Sequence, residues 1–252
     1  LGRSDTTMTT TTGATAFSRH FKTLEVRFLF VIFAVVSASF AAVLSLGLFR
    51  EGATARFDEA LILAFRNPEN LSDAIGPHWV EEMGRDFTAL GGFPVLTLLT
   101  IAIAGFLLFR RMRATAAVIV GSTLLALLLS STLKSAIDRT RPDLVPHGQH
   151  VYTASFPSGH SMHAAATYLT LGSLLALFQQ RRRLKVFIMS AAVTVMLLVG
   201  WSRVYLGVHW PTDVLGGWAM GTLCAIVTLL VARWLLGLPD VTEEVRDKGV
   251  VV

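Results

Sequence analysis

The chain has a single cysteine, Cys224, and it lies inside an apolar run, so no intrachain disulfide can form. Cysteine usage is therefore silent on redox compartment. Charge is scarce as well: 15% of the 252 residues are charged and 53% are apolar, far from the balance of an ordinary soluble domain. No internal repeat is visible, which excludes a solenoid or array. A cleavable signal peptide is not expected, because the first apolar run is long enough to span a bilayer. The net charge of +5 does not point to a nucleic-acid partner, because the basic residues sit in short knots between apolar runs. That placement marks membrane topology.

What is present is a succession of long apolar runs. A spanning helix needs roughly 20 predominantly apolar residues. Six stretches come near that length, at about 28–49, 92–109, 114–135, 158–178, 186–202 and 213–236. The expected fold is all-α, an integral membrane bundle of six transmembrane helices with an extracytoplasmic loop containing short helices. Residues 1–8 (LGRSDTTM) read as a cloning remnant before a start at Met8, and a Thr-rich stretch follows. Residues 1–22 are accordingly expected to be disordered, 23–237 to form one membrane domain and 238–252 a cytoplasmic tail.

Orientation follows from the cations. Arg19, Lys22 and Arg27 precede the first run, Arg110, Arg111 and Arg113 join the second to the third, and Arg181, Arg182, Arg183 and Lys185 join the fourth to the fifth. With six spans these clusters share one side, which the positive-inside rule makes cytoplasmic. Residues 50–91 carry eight acids against four arginines, a net of −4 that fits the opposite face. Segments 55–66 and 79–90 of that loop mix apolar and charged residues, as interfacial helices or helices packed on the bundle would.

Three polar clusters interrupt this pattern: KSAIDRTRP from Lys134 to Pro142, FPSGH from Phe156 to His160, and SRVYLGVHWPTD from Ser202 to Asp213. All three fall at the extracytoplasmic ends of their spans. Polar groups near a bilayer are costly, so their convergence implies function. Lys134, Arg141 and Arg203 can surround a phosphoryl group, and guanidinium groups bind its oxygens bidentately. Pro142 holds Arg141 to an extended backbone. Ser158 stands where a helix N-cap is favoured. Gly159 then lets an anion approach the helix N-terminus closely. His160 follows at the polar mouth. His209 and Asp213 are four apart and share a helical face if the sixth span begins by His209. A carboxylate on one imidazole nitrogen leaves the other free to act as nucleophile, base or metal ligand. The cations would repel a divalent ion, which disfavours a metal site built from His160, His163, His209 and Asp213.

Together these residues resemble the type 2 phosphatidic acid phosphatase superfamily of integral-membrane lipid phosphatases. Its pattern of K-x6-RP, PSGH and SR-x5-H-x3-D reads here as Lys134…Arg141-Pro142, Pro157-Ser158-Gly159-His160 and Ser202-Arg203…His209…Asp213, with no departure. The resemblance implies catalysis by His209, His160 and Asp213: His209 attacks phosphorus, Asp213 orients it, and His160 protonates the leaving oxygen and then activates water. Lys134, Arg141, Ser158, Gly159 and Arg203 would bind the phosphate, with no metal and no cofactor. The implied partner is a phosphorylated membrane lipid in a bacterial inner membrane, with both chain termini cytoplasmic. His163 lies outside the motifs and reads as a packing or supporting residue, and Tyr205 and Trp210 as interfacial aromatics. A lipid phosphotransferase would use the same intermediate. A non-catalytic lipid-phosphate binding or transport protein would need the cations but not the His209–Asp213 pair. The soluble vanadate-dependent haloperoxidase branch shares the motifs, but six apolar spans set this chain apart from it.

Overall fold

Each of the six apolar runs becomes a helix. The computed structural model describes residues 24–49, 53–145 and 153–237. The flanking segments 1–22 and 238–252 lie outside the described residues. In chain order the elements are α1 (Leu24–Phe49), α2 (Ala53–Leu63), β1 (Arg66–Asn67), β2 (Asn70–Ala74), α3 (His78–Leu90), α4 (Phe93–Phe109), α5 (Arg113–Ile137), α6 (Gly159–Leu177), α7 (Arg182–Tyr205) and α8 (Pro211–Leu236). The two strands form a small antiparallel hairpin between α2 and α3, pairing Arg66 with Ala74 and Asn67 with Asn70.

Four helices, α1, α5, α7 and α8, are individually long and apolar enough to cross a membrane; α3 and α4 make a fifth if their 47° bend is one broken span. By length and hydropathy alone the count among the described residues is thus four or five, where six was expected. The helix that misses is α6. It carries His160, Ser161, His163, Thr167, Thr170 and Ser173, and most of its residues are buried by neighbouring helices. A helix enclosed by protein needs no lipid-facing apolar surface. The bilayer-facing surface is supplied instead by residues such as Leu98, Phe106 and Phe109 on α4, Leu128 on α5 and Phe187 on α7, all exposed.

The centre of the bundle is α6, which packs chiefly against α7 and α8. Small residues permit this. A Cβ placed on Gly221 of α8 would meet the Met162 carbonyl oxygen at 2.4 Å, and one on Gly217 would meet that of Ser158 at 2.7 Å. Two glycines four residues apart therefore bring the two backbones into contact, the usual device where lipid removes any hydrophobic drive between helices. The same contact sets the starts of α6 and α8 side by side, where the Ser158 N–H donates to the Asp213 carbonyl at 3.0 Å.

Further along, Val26 and Leu29 of α1, Leu169 of α6, Met189 and Met196 of α7 and Leu229 of α8 form the apolar core. Lys185, which the sequence placed among the topology-marking cations, is buried at the start of α7 and pairs with buried Glu25 of α1. The segment between α1 and α4 packs onto the bundle: Asp58 and Ile62 on α2 are fully buried, and Gly84 and Thr88 on α3 are buried. Trp79 and Met83 leave an exposed apolar side on α3, so this helix has both characters that its sequence allowed.

Candidate active site

Three cations reach the same end of the bundle from three segments. Lys134 stands in the last turn of α5, and its Nζ donates to the Ala154 carbonyl. Arg141 follows α5 in a loop; its Nε donates to the Thr153 carbonyl and its Nη1 to the Val208 carbonyl, each at 2.7 Å. Arg203, in the last turn of α7, is 2% exposed, and its Nη1 lies 3.4 Å from Thr88 Oγ1. Thr88 is itself fixed by Ser202 at 2.6 Å. Lys134, Arg141 and Arg203 lie close enough to repel one another. Convergent positive charge of this kind is relieved by an anion.

His209 precedes the helix instead of opening it. α8 begins at Pro211 with Trp210 as its N-cap, so the shared helical face expected for His209 and Asp213 does not form. Asp213, in the first turn of α8, turns its carboxylate back over the helix start. Its Oδ2 accepts the Trp210 N–H at 3.0 Å and lies 3.5 Å from His209 Nδ1. Ser155 Oγ donates to the same oxygen and sits 3.4 Å from Nδ1. The turn that delivers His209 needs Gly207, at φ +69°, where a Cβ would also strike Val145 at 2.4 Å.

The other imidazole nitrogen, Nε2, lies 3.2 Å from Arg141 Nη1. A guanidinium can only donate, so Nε2 holds the lone pair and the ring proton belongs on Nδ1, facing Asp213, an assignment made from the hydrogen-bond network. Burial first, then the charges of Arg203, Arg141 and Lys134, push His209 well below the ordinary imidazole range. Its ring is neutral at pH 7. Burial also draws Arg141 down from its ordinary value, with Asp213 opposing the shift.

The start of α6 completes the cluster. Ser158 is the N-cap, as expected, but its side chain makes no capping bond; its Oγ takes the Ser161 hydroxyl at 2.9 Å. The first N–H groups of any helix lack an intrahelical acceptor. Here they abut the lysine, since a Cβ on Gly159 would lie 3.7 Å from Lys134 Cε. His160 is within electrostatic reach of Arg203, His209 and Arg141. All eight sequence-predicted residues therefore meet at one end of the bundle. His163 stands beside them, with its Nε2 buried and unbonded among the described residues. Tyr205 is not interfacial: it is 2% exposed and its hydroxyl donates to the Ile75 carbonyl at 2.9 Å. Trp210 is also committed to the protein, donating its indole N–H to the Thr140 carbonyl at 3.0 Å.

The motifs did not identify Ser155, Thr212, Arg139 or Asp58. Arg139 was visible as a second arginine in the first cluster, and it bonds Asp213 Oδ1 at 2.6 Å. Asp58 lies 81 residues from its partner Arg139. No spacing rule links them.

Fold and site together describe an integral membrane helical bundle with three cations and two histidines gathered at one end. Residues 95–236 match the model of the PAP2 superfamily, more than half of the chain, which belongs to that superfamily. Phosphatidylglycerophosphatase B of Bacillus subtilis is 38% identical over 148 residues, 58% of this chain and 71% of the relative. Lipid A 1-phosphatase of Rhizobium etli is 30% identical over 193 residues, 68% of this chain and 78% of the relative. The crystal structure of a transmembrane PAP2-type phosphatidylglycerolphosphate phosphatase from Bacillus subtilis aligns with a TM-score of 0.67 at 30% identity, covering 82% of this chain and 95% of that one. The chain is a phosphoric ester hydrolase of the membrane lipid phosphatase class.

Proposed function

We propose that this protein removes phosphate from a lipid phosphomonoester or diphosphate at the extracytoplasmic face of a bacterial inner membrane, through a phosphohistidine on His209 and without a metal ion. The observation that supports the reading is the gathering of Lys134, Arg141 and Arg203 around His209, whose unprotonated Nε2 faces Arg141 while Asp213 lies behind the ring. The basic clusters at the opposite ends of the spans support a cytoplasmic location for both termini.

In the first half-reaction the Nε2 lone pair forms an N–P bond as the P–O bond to the lipid breaks, and the departing oxygen takes a proton from His160. Asp213 stabilises the positive charge that the ring gains. Arg141 turns its N–H from Nε2 to the phosphoryl oxygens, alongside Lys134, Arg203, Ser158 and the Gly159 N–H, and fixed positive charge stabilises the transition state. In the second half-reaction His160 takes a proton from water, the water oxygen attacks phosphorus and the N–P bond breaks. Inorganic phosphate leaves and His209 is neutral again. The three cations also account for independence from a metal, since they supply the charge that a divalent ion would otherwise bring.

The test is phosphate release from a panel of lipid mono- and diphosphates in detergent with EDTA, wild type beside His209→Ala. Phosphatidylglycerol phosphate heads the panel because of the 38% identical relative. Release by wild type alone is the expected result. Wild-type rates from His209→Ala would remove the nucleophile assignment, and activity lost in EDTA and restored by a divalent ion would remove the metal-free mechanism.

A further inference from the structure

Asp58 belongs to none of the three motif clusters and precedes the residues that match the family, yet it is fully buried beside the site. Its Oδ2 accepts from Arg139 Nη2 at 2.8 Å and from Thr212 Oγ1 at 2.6 Å, while its Oδ1 accepts the Thr212 N–H at 3.0 Å. The other amino group of Arg139 donates to Asp213 Oδ1 at 2.6 Å and to Thr212 Oγ1 at 2.7 Å. Arg139 also lies over the Trp210 ring, 5.6 Å from its centroid. One planar guanidinium thus bridges two buried carboxylates, a geometry its rigid fork suits and an ammonium cannot reproduce.

The consequence for Asp213 is geometric. Its Oδ2 is shared by Ser155, the Trp210 N–H and the His209 contact, while its Oδ1 is held by Arg139. A carboxylate gripped at both oxygens has a fixed plane. The other arm of Arg139 is anchored on Asp58, which helps to hold the guanidinium where it meets Oδ1.

We propose that Asp58 is a positioning residue of the phosphatase site, fixing the plane of Asp213 through Arg139 and so the orientation and tautomer of His209. This rests on the proposed role of His209 as nucleophile. It also gives α2 a task, since the short helix is tied to the start of α8 at the point where the reacting histidine enters. Supporting groups of this kind act on the rate of the chemical step, because misplacing a reacting group by a fraction of an ångström slows reaction more than binding.

Phosphate release gives kcat and KM for wild type and Asp58→Asn, and nitrogen NMR of labelled histidine reports the His209 tautomer. The expected result is a kcat about tenfold to a hundredfold lower, a KM within about threefold, and a His209 signal that changes from one Nδ1–H form to a mixture. A kcat within about twofold of wild type overturns the proposal. So does an unchanged single tautomer, whatever the rate does. Where Asp58→Asn does not give monodisperse protein, Arg139→Lys keeps the charge, loses the fork and answers to the same two readouts. A wild type that releases no phosphate would count against the phosphatase reading instead, and the tautomer measurement would still decide the role of Asp58.

Discussion

The two ends of this bundle are held together by different forces. At the site end, α2, the loop after α5, the start of α6 and the start of α8 meet through a polar network. Asp58, Arg139, Thr212, Asp213, Ser155 and His209 each bond to at least one other member. Away from the site, side chains such as Leu29, Leu169, Met196 and Leu229 form an apolar cluster, beside the Glu25–Lys185 ion pair. Buried polar groups are tolerable only when each is satisfied, so the site end is specified by geometry and the other end by volume. The division leads to an expectation: substitutions in the network should lower the reaction rate, and substitutions in the packing should lower stability.

Arg203→Ala tests that separation with the largest expected effect. The guanidinium is nearly inaccessible and stands in the cation cluster, while Thr88 and Ser202 keep their own hydrogen bond without it. Loss of one preorganised charge at a phosphoryl group should lower kcat/KM by about 10²–10³. The folded fraction should change little by comparison. A variant that unfolds in detergent without a loss in rate per folded molecule would break the comparison.

Glu25→Gln tests the other half. Removing one partner of a fully buried pair costs about 3–5 kcal/mol, because the remaining charge is stranded. Lys185 opens α7 and its stem can carry the amine toward the headgroups, so about 1–3 kcal/mol is expected here. Thermal unfolding in detergent should show a lower midpoint, with kcat per folded molecule within about twofold of wild type. A kcat that fell with the midpoint would join the two ends into one cooperative device.

The same division explains what was legible in the sequence. The helices of the bundle follow from apolar runs, which report packing directly, so their positions agree with the sequence to within a few residues. The exception is instructive: α6 is too polar to pass as a span because its partners are protein, and hydropathy does not say which neighbour a residue faces. At the site, all eight motif residues lie at one end of the bundle. The route to that convergence differs at His209: a shared helical face needs the sixth span to begin by His209, and the helix begins at Pro211, with the Asp213 carboxylate doubled back over its start. By residue type Tyr205 reads as an interfacial aromatic and Lys185 as a topology-marking cation, and both are buried with specific partners. Asp58 was one acid among eight in a loop read for its net charge. Tertiary contact selected it, and periodicity carries no record of such contact.

The smallest expected effect, a shift in proton affinity, gives the sharpest reading of the site end. Burial is the first cause that lowers the affinity of His209 for a proton, and the nearby Arg203, Arg141 and Lys134 lower it further. Because the group is a base with a depressed folded value, the unfolded chain binds the proton first as pH falls. The folded ring should therefore stay neutral as pH drops through the ordinary histidine range near 6.5. Histidine-resolved NMR of the free protein between about pH 8 and pH 5 should show no protonation of His209. In Arg203→Ala one repelling charge is gone while burial remains. The midpoint should then move upward without reaching the ordinary value. If it did not move, burial alone would govern His209, and the cations would serve the substrate without tuning the nucleophile. An upward shift means that the charges that hold the phosphate also keep the attacking nitrogen unprotonated.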